Sequence, residues 1–244
     1  GCAAALASET GSIGYLGPLI NFETRRLVAS AYLGARYCWE TYRGNDPADL
    51  TFSVNWIGFW FNIPGVTLDP TEVVTQFLDT GTDVVLSGID TTEAITVAGQ
   101  RFAADERVFA IPYDYLGACE EAPAACLGVP FFNWGPAYLA TVQAVADGTW
   151  VQSFDWNGPN WENMTDLDTT AVGWVDGEAL TANAEWKANL DDFISKLASG
   201  EVSVWTGPIN LQDGTEYIAA GEVGTDQQVW YLPQLLEGMQ GASN

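Results

Sequence analysis

The sequence predicts an α/β protein built on a parallel sheet flanked by helices. Three observations carry that expectation. Short β-branched and apolar runs alternate with helical stretches, and the connections between them are brief. Several of the runs are apolar without alternation, as strands covered on both faces must be. The strand-helix-strand order then favours parallel neighbours joined by crossovers over the faces of one sheet.

Taken in order, Ala3–Ala7 reads as a helix leading into a strand at Ser12–Leu16, which Gly17-Pro18 closes. Glu23–Tyr42 is a long helix, with Leu27, Ala31, Gly34, Ala35 and Cys38 on one face at helical spacing. Gly44–Asp49 is a polar turn, and Thr51–Phe61 is a β-branched and aromatic run of central-strand character. Asp69-Pro70-Thr71-Glu72 predicts a capped helix start with proline at the first helical position and Glu72 completing a capping box; the helix ends at Gly81. Asp83–Ile89 and Val108–Tyr113 are buried strands on either side of a helix at Thr92–Ala104. Beyond them come a strand at Gly128–Phe132, a helix from Gly135-Pro136 to Asp147 and a loop over residues 149–170 with room for one short strand. An amphipathic helix at Leu180–Ser199, a last strand at Val202–Thr206 and a short helix within Asp226–Met239 complete the reading.

Composition excludes several functions. The chain carries 32 acidic and 8 basic residues, a net charge of −24, which opposes binding to nucleic acid or to an anionic membrane face. It has no histidine, so Ser-His-Asp and Cys-His triads cannot be assembled within it and the commonest metal ligand is missing. No resident metal, cofactor or catalytic group is expected. No run of 18 apolar residues occurs. Cys119 and Cys126 bracket a short loop containing Pro123 and are expected to form a disulfide; Cys2 and Cys38 either pair or stay as thiols. Disulfides point to an oxidising compartment. Gly1-Cys2 is similar to the junction at which bacterial lipoproteins are cleaved and acylated, whereas the helix that follows directly favours an internal start.

Ligands of open parallel sheets bind beyond the carboxyl ends of the strands. Those ends place Trp60 and Phe61, then Asp90 and Thr91, then Tyr113 and Asp114, then Asn133 and Trp134, as candidate ligand-binding residues. Aromatic faces beside carboxylates and an amide suit a flat or sugar-like ring bearing hydrogen-bonding groups. Three of them also admit a plainer reading: Asp90 as a helix cap, Trp60 as core, Asn133 as a partner for backbone groups. No Walker loop and no complete dinucleotide fingerprint is present. A carboxylate-dependent glycan hydrolase is the enzymatic alternative, and a surface or sensory binding protein without transport is the third reading.

A series of stretches stands out together: Ala4-Ala5-Leu6 through Gly17, Trp56-Ile57-Gly58-Phe59-Trp60, Gly81-Thr82-Asp83-Val84-Val85 and Asn133-Trp134-Gly135-Pro136-Ala137-Tyr138-Leu139. Asp147-Gly148-Thr149-Trp150, Thr206-Gly207-Pro208-Ile209, Gln212-Asp213-Gly214 and the tail Trp230–Gly241 extend the series over nearly the whole chain. In their order and spacing the chain resembles the basic membrane protein family of substrate-binding lipoproteins, which serve ABC importers and share the type I periplasmic-binding fold. That resemblance implies a two-lobed protein whose first lobe is mostly missing here. Residues 1–128 would form the second lobe, 129–160 the crossover into the first, and 161–244 the return and tail. The missing part is either cut away or a separate polypeptide. The resemblance further implies an extracytoplasmic location, a lipid anchor in the full-length form, a membrane permease as partner and a small-molecule ligand. In the family's purine-nucleoside binders the base stacks on an aromatic that maps to Trp60, and an acid mapping to Asp114 holds the sugar. Their lysine near Phe132 and Asn133 has no counterpart here, so the ligand class stays open.

Overall fold

The computed structural model describes residues 1–244. Five parallel strands form the central sheet in the order β4-β3-β1-β2-β9: β1 (Ser12–Gly17), β2 (Thr51–Trp56), β3 (Val84–Ser87), β4 (Phe109–Ile111) and β9 (Met239–Gln240). In register, Ser12 faces Thr51 and Ile13 faces Val84. The expected α/β architecture is therefore present, with the final strand supplied by the tail, where only a helix was anticipated.

Side-chain alternation along the strands divides the core into two. Ile13, Tyr15, Phe52, Val54, Val84, Leu86, Phe109 and Ile111 point to one face, where α1 (Cys2–Ala7), α2 (Phe22–Thr41) and α7 (Ala184–Ser199) cover them. Leu16, Val85 and Ala110 point to the other, against α3 (Pro70–Asp79) and α4 (Glu93–Phe102). Gly14 lets α3 approach β1, since a Cβ there would lie 2.9 Å from the Phe77 ring. The carboxylate of Asp83, itself buried, fixes the turn into β1 by accepting from Ser8 Oγ (2.6 Å), Glu9 N (2.7 Å) and Thr10 N (3.1 Å).

Several expected boundaries move for local reasons. The second strand stops at Trp56 because Gly58, at φ 101°, turns the chain before Phe61. Asp69 caps α3 by accepting from Thr71 N and Glu72 N. The Leu180–Ser199 helix is two helices, α6 (Glu178–Thr181) and α7, because Asn183 accepts from Glu185 N and Trp186 N and starts a new one. Val202–Thr206 is not a strand: Thr206 N bonds back to Ser203 O in a turn. The segment after it forms instead a small antiparallel pair, β7 (Ile209–Asn210) with β8 (Glu216–Ile218). Beyond β4, β5 (Gly128–Phe132) pairs antiparallel with β6 (Val172–Asp176), whose residues carry no strand signal strong enough to predict it. The helix α5 (Gly135–Ala146) projects from this hairpin, and α8 (Asp226–Trp230) is the short helix of the tail.

Disulfides join Cys2 to Cys38 and Cys119 to Cys126. The first ties α1 to α2, which settles the open question about those two thiols.

Candidate ligand-binding site

The site is assembled by the loops that leave the carboxyl ends of β1 to β4. These loops are knitted to one another through their backbones. Gly58 N donates to Pro18 O (2.9 Å), linking the turns after β1 and β2, and Asp90 N donates to Trp60 O (2.8 Å), linking those after β2 and β3. Trp60 is half-buried, and Phe61, 43% exposed, packs edge-on against Phe59 with centroids 4.9 Å apart. Thr91 follows Asp90, and its hydroxyl is shielded from solvent with no hydrogen-bond partner.

Electrostatics shows how closely the next groups gather. Partial burial, then the charges of Asp114 and Glu23, raise the Asp90 carboxyl above its ordinary value. Burial raises the Tyr113 phenol well above its ordinary range, helped by Tyr15, Glu23, Asp114 and Asp90. Asp90 and Tyr113 thus lie close to Asp114 and Glu23, since a charge perturbs a neighbouring group only at short range, and Tyr15 is buried in the core nearby. Asp114 takes a left-handed backbone, φ 63°, and its N–H donates to Pro130 O (3.0 Å), so the turn is pinned to β5. A non-glycine residue in that region is strained, and such strain gathers where a side chain must be aimed.

The last pair stands differently. Asn133 Nδ2 donates to Leu167 O (2.7 Å) and Thr170 O (2.8 Å), satisfying the backbone of the loop ahead of β6. Trp134 is 56% exposed and stacks between Phe132 (5.5 Å) and Tyr138 (6.1 Å). Phe132 in turn meets Tyr113 edge-on at 6.0 Å, so an aromatic ladder runs from the rim to α5. The structure therefore brings Trp60, Phe61, Asp90, Thr91, Tyr113 and Asp114 to the ends of neighbouring strands, while Asn133 and Trp134 sit on the β5–β6 hairpin beside them.

Residues absent from the sequence reading also reach this rim. Glu23 and Arg26 lie in the first turns of α2, directly after β1. Arg26 is flanked by Trp156 and Trp230, with Phe154 packed on both rings. Two cavities lie elsewhere: an apolar one of about 230 Å³ walled by Cys2, Trp161, Trp174 and Phe193, and a groove of about 480 Å³ between α4 and the Cys119–Cys126 loop. Neither gathers the strand-end groups.

A purine-binding protein of Brucella abortus is 31% identical over 235 residues, covering 93% of this chain and 57% of that protein. The chain is a homologue of this binding protein. A putative ABC transporter glucose-binding protein of Haloferax volcanii is 23% identical over 224 residues, 89% of this chain and 49% of that one. Among solved structures, an ABC transporter solute-binding protein from Aeropyrum pernix superposes with a TM-score of 0.60 at 14% identity, over 83% of this chain and 63% of that one; this is a likeness of fold. No protein-family model matches the chain. The chain spans about half the length of the curated relatives it matches.

Proposed function

We propose that the chain is the ligand-gripping lobe of an extracytoplasmic solute-binding protein, which captures a small polar or aromatic molecule and hands it to an ABC permease. The observation that carries this reading is the convergence of Trp60, Asp90, Tyr113 and Asp114 beyond the carboxyl ends of neighbouring strands. An indole offers a stacking face, and the carboxylates accept hydrogen bonds from hydroxyl or amine groups. The two curated relatives are named for a purine and for glucose. A nucleoside-like ligand combines the flat ring of the one with the hydroxyls of the other.

A second lobe would close over the rim by a hinge motion, with the ligand favouring the closed form. Residues 129–160 are the part we assign to that crossover. None of the residues of α5 is buried, although Tyr138, Leu139, Val142 and Val145 are large and apolar. An apolar surface of that extent is what an absent layer would cover. Disulfides fit a compartment outside the cytoplasm, and we place the full-length form there on a lipid anchor.

Titration calorimetry with nucleosides and monosaccharides tests the proposal. Trp60→Ala is expected to weaken binding by roughly tenfold or more, in line with about 1–3 kcal/mol for a lost base–aromatic stack. An unchanged affinity would remove Trp60 from the site. Turnover of a chromogenic glycoside that one carboxylate substitution abolishes would replace binding by hydrolysis.

A further inference from the structure

The chain has 8 basic side chains to set against 32 acids, and six of the eight are engaged within the protein. Arg25 donates to Leu232 O and Ser243 O, and Arg43 to Leu6 O. Arg101, Arg107, Lys187 and Lys196 sit in ion pairs. Arg36 lies in solvent. Arg26 is the exception: half-buried, with Nε shielded from water and without a hydrogen-bond partner. Its guanidinium carbon lies 4.5 Å from the Trp230 ring centroid and 5.5 Å from that of Trp156.

A guanidinium is costly to withdraw from water unless something nearby compensates it. Here two indole faces hold it, from the loop after α5 and from α8, while Glu23 and Tyr113 are its charged and titratable neighbours on the rim side. The two rings, inclined 70° to one another, hold the guanidinium by cation–π attraction, and its Nε finds no acceptor within the protein.

We propose that Arg26 reads an acceptor oxygen on the ligand, while Asp90 and Asp114 take the ligand's N–H or O–H donors. The inference rests on the strand-end reading and narrows it. One guanidinium against Glu23, Asp90 and Asp114 leaves the rim negative, so the ligand is neutral rather than phosphorylated. Among nucleoside-like molecules the arrangement selects a base with a ring carbonyl over one carrying an amino group at that position.

The test is calorimetry on the 244-residue chain with inosine, adenosine and inosine monophosphate, comparing wild type with Arg26→Met and Arg26→Lys. Inosine is expected to bind about tenfold more tightly than adenosine, and more tightly than its monophosphate, as befits one hydrogen bond from a charged donor. Arg26→Met removes that preference by weakening inosine alone, and Arg26→Lys restores part of it. Equal weakening of both nucleosides, with an unchanged melting temperature or a lowered one, marks Arg26 as structural and overturns the assignment while the strand-end site stands. Tighter binding of the monophosphate overturns it too. Failure of the wild type to bind either nucleoside brings down the nucleoside-like reading, and this assignment with it.

Discussion

Asp114 offers a perturbation in which stability and binding should move apart. Its φ of 63° lies in the left-handed region, which costs an L-residue with a Cβ about 1–2 kcal/mol. Aspartate tolerates this better than most residues, because its short side chain can bond locally. Alanine has no such relief, and glycine has no penalty at all. Glycine carries instead a larger unfolded-state entropy of about 0.4–1 kcal/mol. Asp114→Gly is therefore expected to exceed Asp114→Ala in stability by about 1 kcal/mol, or roughly 2–4 °C in melting temperature for a chain of this size. Both remove the carboxylate from the rim, so both are expected to weaken ligand binding by roughly tenfold or more. Urea unfolding by linear extrapolation measures the first quantity and calorimetry the second. Equal stabilities would show that the backbone there is unstrained, and wild-type affinity in either variant would refute the role given to Asp114.

Other expectations follow from the same geometry. Opening the Cys2–Cys38 bridge, 36 residues apart, should cost about 3.8 kcal/mol by loop entropy against about 2.4 kcal/mol for Cys119–Cys126, 7 apart; denaturation of Cys38→Ala and Cys126→Ala compares them. The raised carboxyl of Asp90 makes its contribution to folding favourable in acid. That contribution is present below the ordinary carboxylate range near pH 4 and is lost as pH rises through the raised folded value, so Asp90→Asn should flatten the stability profile just above that range. Leu139→Glu and Val142→Glu, on the exposed face of α5, should reduce binding of an apolar dye without lowering the melting temperature. A drop in melting temperature would mean that α5 packs against something.

Much of the fold was written locally. Asp69-Pro70 starts α3 where expected, and the unbroken apolar runs became β3 and β4. The losses came where distant partners decide. Met239–Gln240 has no strand signature of its own and becomes β9 only because β2 offers an edge. Val172–Asp176 likewise takes strand form from β5. The candidate site was drawn from the rule that strand ends carry ligands, applied to β2, β3, β4 and β5, and the structure does put those residues at the ends of neighbouring strands. Applied to β1 as well, the same rule reaches Glu23 and Arg26 in the first turns of α2. Trp156 and Trp230 were beyond it, because their meeting at Arg26 joins segments that share no local pattern.

The pairing of Phe52 with Met239 has a consequence for synthesis on the ribosome. Ser53 and Gln240, bonded through their side chains at 3.1 Å, are 187 residues apart. At translation speeds of about 5–20 residues per second, β2 waits roughly ten to forty seconds for the neighbour that seals its outer side. During that interval its unpaired amides are open to strands of other nascent chains. Secretion in an unfolded state, or a holdase that masks this stretch, would spare the polypeptide that exposure.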